Sequence, residues 1–85
     1  MRTIYKYPIN LNEKQSILTY EGAKPLRIAI QESTICVWME VSTEEKKVDK
    51  NIYCFGTGFE LPNLDLKYIG SVDDFPFVWH IYYEE

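Results

Sequence analysis

An alternation of side chains with a period of two is the feature that most constrains how this chain can fold. It is clearest in residues 35–42, where the odd-numbered positions are Ile, Val, Met and Val. The even-numbered positions include Trp38 and Glu40, so the two faces of an extended chain differ here. The 3.6-residue period of an amphipathic helix is almost absent from the 85 residues. The chain is therefore predicted to form β-strands.

Six or seven short strands are predicted between segments rich in turn-forming residues. They cover residues 2–7, 16–20, 26–31, 35–42, 52–55, 67–72 and 76–83. Residues 26–31 and 35–42 are predicted to pair as a hairpin, Asp73 and Asp74 to form a turn, and the charged segment 43–51 favours a solvated loop over one helical turn. Strands without intervening helices indicate antiparallel pairing. We therefore expect one domain over residues 1–85, all-β, as a small antiparallel β-sandwich or partly closed barrel.

Bulky side chains on both faces of several strands indicate that copies of the chain associate. In residues 77–83 one face carries Phe, Trp, Ile and Tyr, and the other carries Val, His and Tyr. A sheet with one solvated face normally alternates apolar with polar residues. A short chain has difficulty covering two apolar faces alone. A tightly curled sandwich is one explanation, and a homo-oligomer, most simply a dimer, is the favoured one.

The composition argues against several classes of protein. The formal net charge is −4 and no basic patch is visible, which argues against binding along extended nucleic acid. No apolar run reaches the length of a membrane span, and the start MRTIYKYPI lacks the apolar core of a signal peptide. We expect a cytoplasmic protein without a cofactor. Cys36 and Cys54 lie in apolar strands and are expected to be buried, reduced thiols.

Catalytic patterns are missing from the sequence. His80 is the single histidine, and no Cys or carboxylate lies at ligand spacing beside it, so a structural role is favoured over a metal site. Asp73 and Asp74 are adjacent and point apart on an extended chain, which does not suit an acid/base pair. No nucleophile elbow or metalloprotease motif is present. The chain is therefore predicted not to be an enzyme.

The stretch CFGTGFELP, residues 54–62, raises the possibility of a phosphate cradle. A nucleotide-binding glycine loop precedes a helix whose N-terminus faces the phosphate, and Pro62 and Asn63 argue against a long helix here. Backbone N–H groups could still bind an anion without a helix. A turn or bulge in which glycines take positive φ angles is favoured, with Phe59 packing beside it.

Basic residues on the predicted strands supply the other candidate site. Arg2 and Lys6 share a face with Ile4 between them, and Arg27 lies opposite an apolar row. Ordinary surface cations are the favoured interpretation. If symmetry brought two such strands together, cations could bind phosphates while Tyr or Trp stacked on a base. The candidate ligand-binding residues are Arg2, Tyr5, Lys6, Tyr7, Arg27, Trp38, Gly56, Thr57 and Gly58.

Several motifs together resemble a family of small uncharacterised proteins of phage and prophage genomes. They run almost end to end in the same order: TIYKYPI at the start, Gln15, the turn EGAK, Gln31, Trp38, FGTGF, YIGS and VWHIY. A histidine often follows the second glycine in that family, where this chain has Phe59. The resemblance implies phage origin and an accessory role.

The expected function is therefore that of a non-enzymatic phage accessory protein. The most specific version of this expectation is that the protein sequesters a nucleotide-derived immune signal. The signal would be held in a pocket between subunits, in the cytoplasm of the host bacterium. The alternatives are an inhibitor that binds a host defence protein directly, or a minor structural protein of the virion. Genome context, implied by the resemblance, is the warrant for this step.

Overall fold

A computed structural model describes all 85 residues, 1–85, and is built from seven β-strands. The strands are β1 (Arg2–Ile9), β2 (Lys14–Tyr20), β3 (Lys24–Gln31), β4 (Thr34–Ser42), β5 (Lys47–Gly56), β6 (Leu66–Asp74) and β7 (Phe77–Glu84). They form a three-stranded sheet in the order β1-β4-β3 and a four-stranded sheet in the order β2-β5-β7-β6. Every neighbouring pair is antiparallel. The predicted all-β fold is confirmed, as a sandwich of two sheets.

The core lies between the two sheets and includes the odd-numbered apolar row of β4. Val37 and Met39 of β4 and Ile52 and Ile81 of the other sheet have no solvent exposure. Because successive side chains of a strand point to opposite faces, each strand contributes every second residue to this layer. Burial of one such side chain stabilises the fold by about 1.5–3 kcal/mol.

Strand β5 begins earlier than the sequence predicted. Residues 47–51 belong to β5 and pair with β2, with Val48 opposite Thr19 and Lys50 opposite Ile17. The prediction of a loop over the whole of 43–51 is therefore wrong for this part. Exposure alternates along this part of the strand: Lys47 and Asp49 are exposed, and Val48 between them is half-buried on the inner face.

The turn before the last strand also lies later than predicted. Strand β6 continues through Asp73 and Asp74, which pair with Val78 and Phe77 of β7. The two residues of the turn are Phe75 and Pro76, joined by a cis peptide bond. Asp73 and Asp74 are therefore strand residues with exposed carboxylates.

The two long sides of the sandwich are closed differently. On one side β3 packs against β6 so closely that a Cβ on Gly70 would overlap the side chain of Ile28. On the other side a hydrogen bond of 2.9 Å joins the hydroxyls of Tyr7 in β1 and the buried Thr19 in β2. The sheets therefore touch directly at one side and are tied by a polar contact at the other.

Strand β1 is an edge strand with an identifiable set of free backbone groups. The Thr43 N–H donates to the Met1 carbonyl over 2.9 Å, and this pair continues the β1–β4 register. Odd-numbered residues of β1 therefore bond to β4, and the even-numbered backbone groups point away from the sheet. Pro8 is even-numbered and has no N–H to present there, which is where proline is tolerated in a sheet.

Candidate functional site

Four of the predicted ligand-binding residues lie together on the outer face of the β1-β4-β3 sheet. The register places Lys6, Trp38 and Arg27 side by side in one row across the three strands. The next row is formed by Ile4, Glu40 and Lys24, and Arg2 follows at the end of β1. The Trp38 face is the name used below for these residues: Arg2, Ile4, Lys6, Lys24, Arg27, Trp38 and Glu40.

The centre of the Trp38 face is a cation held against an aromatic ring. The Arg27 guanidinium carbon lies 5.4 Å from the centre of the Trp38 ring. Contacts of this kind contribute about 0.5–1 kcal/mol at exposed sites. On the other side of Trp38, the Lys6 Nζ donates to Gln31 Oε1 over 2.6 Å. Both cations are therefore held in place before any ligand arrives.

The charge of the Trp38 face is opposite to that of the whole chain. Four cations and one carboxylate lie on this face of a molecule whose net charge is −4. Its single ion pair joins Arg2 Nε and Glu40 Oε2 at 3.6 Å, so Lys6, Lys24 and Arg27 have no carboxylate partner. A shallow depression of about 350 Å³ lies beside this pair, lined by Arg2, Thr3, Ile4 and Glu40. Guanidinium and ammonium groups around an indole ring suit a ligand that carries both phosphate and a flat ring.

The remaining predicted residues lie elsewhere. Tyr5 and Tyr7 point to the opposite face of β1. The ring centroids of Tyr5 and Tyr20 lie 6.3 Å apart there, and the Tyr7 hydroxyl forms a hydrogen bond with the Thr19 hydroxyl. Gly56, Thr57 and Gly58, called the glycine corner below, lie at the end of β5 in the other sheet. A single chain therefore brings together the predicted cations and Trp38, but not the predicted tyrosines or the glycine corner.

The glycine corner is a tight turn, as the sequence predicted. The Phe59 N–H donates to the Gly56 carbonyl over 3.0 Å, and Gly58 has a φ of +93°. A Cβ at Gly56 would lie 3.0 Å from the Phe59 ring and 3.1 Å from the Trp79 ring, so this glycine leaves room for aromatic packing. Of the two glycines in this turn only Gly58 takes a positive φ, so that part of the prediction is wrong for Gly56. The Thr57 N–H bonds to the Val78 carbonyl at 3.3 Å and is not free for an anion.

A series of hydrogen bonds through His80 was not predicted from the sequence. Its Nε2 lies 2.8 Å from the Thr57 hydroxyl and its Nδ1 lies 2.7 Å from the Ser71 hydroxyl, which in turn lies 2.6 Å from the Tyr68 hydroxyl. A neutral imidazole would accept a hydrogen bond from one of these hydroxyls and donate one to the other. The signal in the sequence was weak, because Ser71 meets His80 only through the register of β6 and β7. This series of hydrogen bonds connects the glycine corner to strands β6 and β7.

Three titratable groups are perturbed by their surroundings. Burial raises the pKa of the Cys54 thiol to about 11. Burial also lowers the pKa of Lys50, whose Nζ lies 4.8 Å from the centre of the Tyr83 ring. Hydrogen bonds donated by Asn51 Nδ2 at 3.0 Å and by the Tyr53 hydroxyl at 3.1 Å hold the pKa of Glu84 below its usual value. None of these groups lies on the Trp38 face.

The structure contains no cluster of three or more His, Cys, Asp or Glu side chains arranged to hold a metal ion. None of its elements is a helix with the length and apolar character that crossing a membrane requires. The site described above consists of cations and an aromatic ring on a sheet surface.

A small all-β sandwich with one cation-rich, tryptophan-centred face is the class of protein that these features define. The chain belongs to the family described as a domain of unknown function (DUF7352), which covers residues 1–85. This membership supports the resemblance to an uncharacterised family over the whole chain. Comparison with curated proteins and with solved structures gave no match.

Proposed function

We propose that this chain is a non-enzymatic binding protein that captures a nucleotide-derived ligand on the Trp38 face. The observation that carries the proposal is the row formed by Lys6, Trp38 and Arg27, with the guanidinium already held against the indole ring. Arg27, Lys6 and Arg2 contact phosphate groups, and the exposed part of Trp38 stacks on the base. One chain brings Arg2, Lys6, Arg27 and Trp38 together on one face, so capture does not require a pocket between two subunits.

In its full form the proposal describes a phage accessory protein. It acts in the cytoplasm of the host bacterium and sequesters a nucleotide-derived signal of host defence. The support for this part is the resemblance of the motifs from TIYKYPI to VWHIY, joined to the chemistry of the face. Sequestration requires binding alone, which agrees with a surface built of cations and an aromatic ring without a nucleophile.

Titration calorimetry against cyclic oligonucleotides and ADP-ribose derivatives tests the proposal. At least one of these compounds should bind, with an affinity that falls as salt is raised, because phosphate contacts are screened. Trp38→Leu should weaken binding by about 5- to 150-fold, since base stacking contributes about 1–3 kcal/mol. Arg27→Gln should weaken binding and reduce its salt dependence.

Two matched variants control for general effects of the substitutions. Lys47→Gln removes a cation that lies over the Tyr20 ring on the other sheet, and Trp79→Phe removes the other tryptophan. Both should bind as the wild type does. Absence of binding to every compound in the series would refute the proposal.

A further inference from the structure

One end of the sandwich exposes large apolar side chains that the fold does not use. Phe75, at the tip of the β6–β7 turn, is 97% exposed, and Phe77 beside it is more than half exposed. Leu11 in the β1–β2 loop and Ile30 before the β3–β4 turn are also exposed, and both line one depression of about 410 Å³ together with Asp74. A fully exposed phenylalanine gains nothing from folding, so its burial against another surface would be favourable.

The same end collects carboxylates, and the cation that reaches it is Lys6 of the Trp38 face, whose Nζ bonds to Gln31. Each carboxylate is exposed and none takes part in an ion pair of the structure: Glu13, Glu32, Glu60, Asp73 and Asp74. The segments that form this end are residues 10–13, 31–34, 56–62 and 73–78, and none of them contains Lys or Arg. The acidic end is the name used below for these carboxylates with Leu11, Ile30, Phe75 and Phe77.

The Trp38 face complements the acidic end in both charge and apolar character. It offers three cations without a carboxylate partner, Lys6, Lys24 and Arg27. Between them lie the half-buried Trp38 and the exposed Ile4, which provide apolar area for the phenylalanines. Aromatic anchors surrounded by complementary charge are the usual composition of an energetically important contact.

We propose that this chain associates with itself end to face, with the acidic end of one copy docking on the Trp38 face of another. The two surfaces differ, so the contact is heterologous, and a pair of bound copies still has one free acidic end and one free Trp38 face. Association therefore continues beyond a dimer as concentration rises, unless a ring closes. It weakens with salt because its charges lie at the surface.

The inference goes beyond the proposed function, and its test contains no nucleotide. Sedimentation velocity on the wild type should show a mass that rises with concentration and falls with salt. Phe75→Ser should weaken association by about tenfold or more, as expected for an aromatic anchor. Because Phe75 is already exposed in the single chain, the variant should unfold at the wild-type temperature.

Charge reversal on each surface gives the decisive experiment. An end variant with Asp73→Lys and Asp74→Lys keeps a working Trp38 face, and a face variant with Lys6→Glu and Arg27→Glu keeps a working acidic end. Each variant alone should remain at the 10.1 kDa of one chain. Mixed together, the two variants should associate, because one keeps the Trp38 face and the other keeps the acidic end, and the reversed charges of the two altered surfaces are also opposite in sign.

Variants away from both surfaces provide the controls, and their association should match the wild type. Glu45→Lys reverses an exposed carboxylate outside the segments of the acidic end, and Lys47→Glu reverses an exposed cation on the other sheet. A wild type that stays monomeric at high concentration and low salt would overturn the inference. So would a symmetric dimer that neither charge reversal affects, or a mixture of the two variants that does not associate. None of these outcomes bears on nucleotide binding by the Trp38 face.

Discussion

Gly70 is the residue at which backbone spacing most directly determines how the sheets meet. A Cβ at this position would overlap Ile28 Cγ2 of the opposite sheet. Gly70→Ala should therefore destabilise the fold by about 1–3 kcal/mol, the usual cost of overpacking a core. The free energy of unfolding in urea measures it.

A double-mutant cycle tests whether the loss of stability in Gly70→Ala comes from the contact with Ile28. Shortening the partner by Ile28→Ala should make Gly70→Ala less costly, because the overlapping methyl group is gone. Gly22→Ala is the control: its φ of +80° strains any side chain, but a Cβ there meets no atom. A cost at Gly70 that Ile28→Ala leaves unchanged would show that the two residues do not compete for space.

Glu84 gives the fold a dependence on pH with a definite sign. Its pKa in the folded chain lies below the 4.5 of the free side chain, because Asn51 and the Tyr53 hydroxyl donate hydrogen bonds to the charged form. A depressed folded pKa adds stability above the unfolded value and loses it as the pH falls through the folded one. Glu84→Gln should therefore lower the unfolding temperature at pH 7, by an amount that shrinks in acid. Glu45→Gln is the matched control, because it removes an exposed carboxylate that accepts no such hydrogen bonds.

At the scale of strands, the sequence predicted the two faces of β4 and the hairpin of β3 with β4, which the structure confirms, but no pairing between strands distant in sequence. It placed Arg2 and Lys6 on one face of β1 and Trp38 on the face opposite Val37 and Met39, as the structure has them. It could not show that β1 pairs with β4, because that pairing joins residues far apart in sequence. The bulge between Tyr68 and Gly70 shifts the register that brings Ser71 to His80, and no pattern in the sequence marks it.

The free edge of β1 carries devices that oppose pairing with another strand. Lys6 is a charged residue within the edge strand, although its Nζ extends across the sheet to Gln31 of β3, and Pro8 presents no N–H on the free edge. These are common protections of an edge strand. A variant with Lys6→Thr and Pro8→Val should therefore aggregate through this edge, with rising light scattering and thioflavin T fluorescence.

A conservative variant separates edge protection from other effects. Lys6→Arg keeps the charge and should remain as dispersed as the wild type. If the double variant stays as dispersed as the wild type, these two residues do not protect the edge. Such aggregates should also persist in high salt, unlike the end-to-face contact, because strand pairing depends on backbone hydrogen bonds.

At the scale of the whole molecule, the two proposals use the same cations and are therefore linked. A nucleotide bound on the Trp38 face removes the docking surface for the acidic end, and reciprocity requires that self-association weaken ligand binding equally. A compound that binds in calorimetry should lower the average mass in sedimentation. Full binding with an unchanged mass would show that ligand and acidic end occupy different surfaces.

The separation of charge between the acidic end and the Trp38 face gives the molecule a permanent electric dipole. A chain with net charge −4 is ordinarily retained only by an anion exchanger at neutral pH. Because adsorption follows the local field, this protein should also be retarded on sulfated resins such as heparin, held by the Trp38 face. The face variant with Lys6→Glu and Arg27→Glu should pass through such a column unretarded.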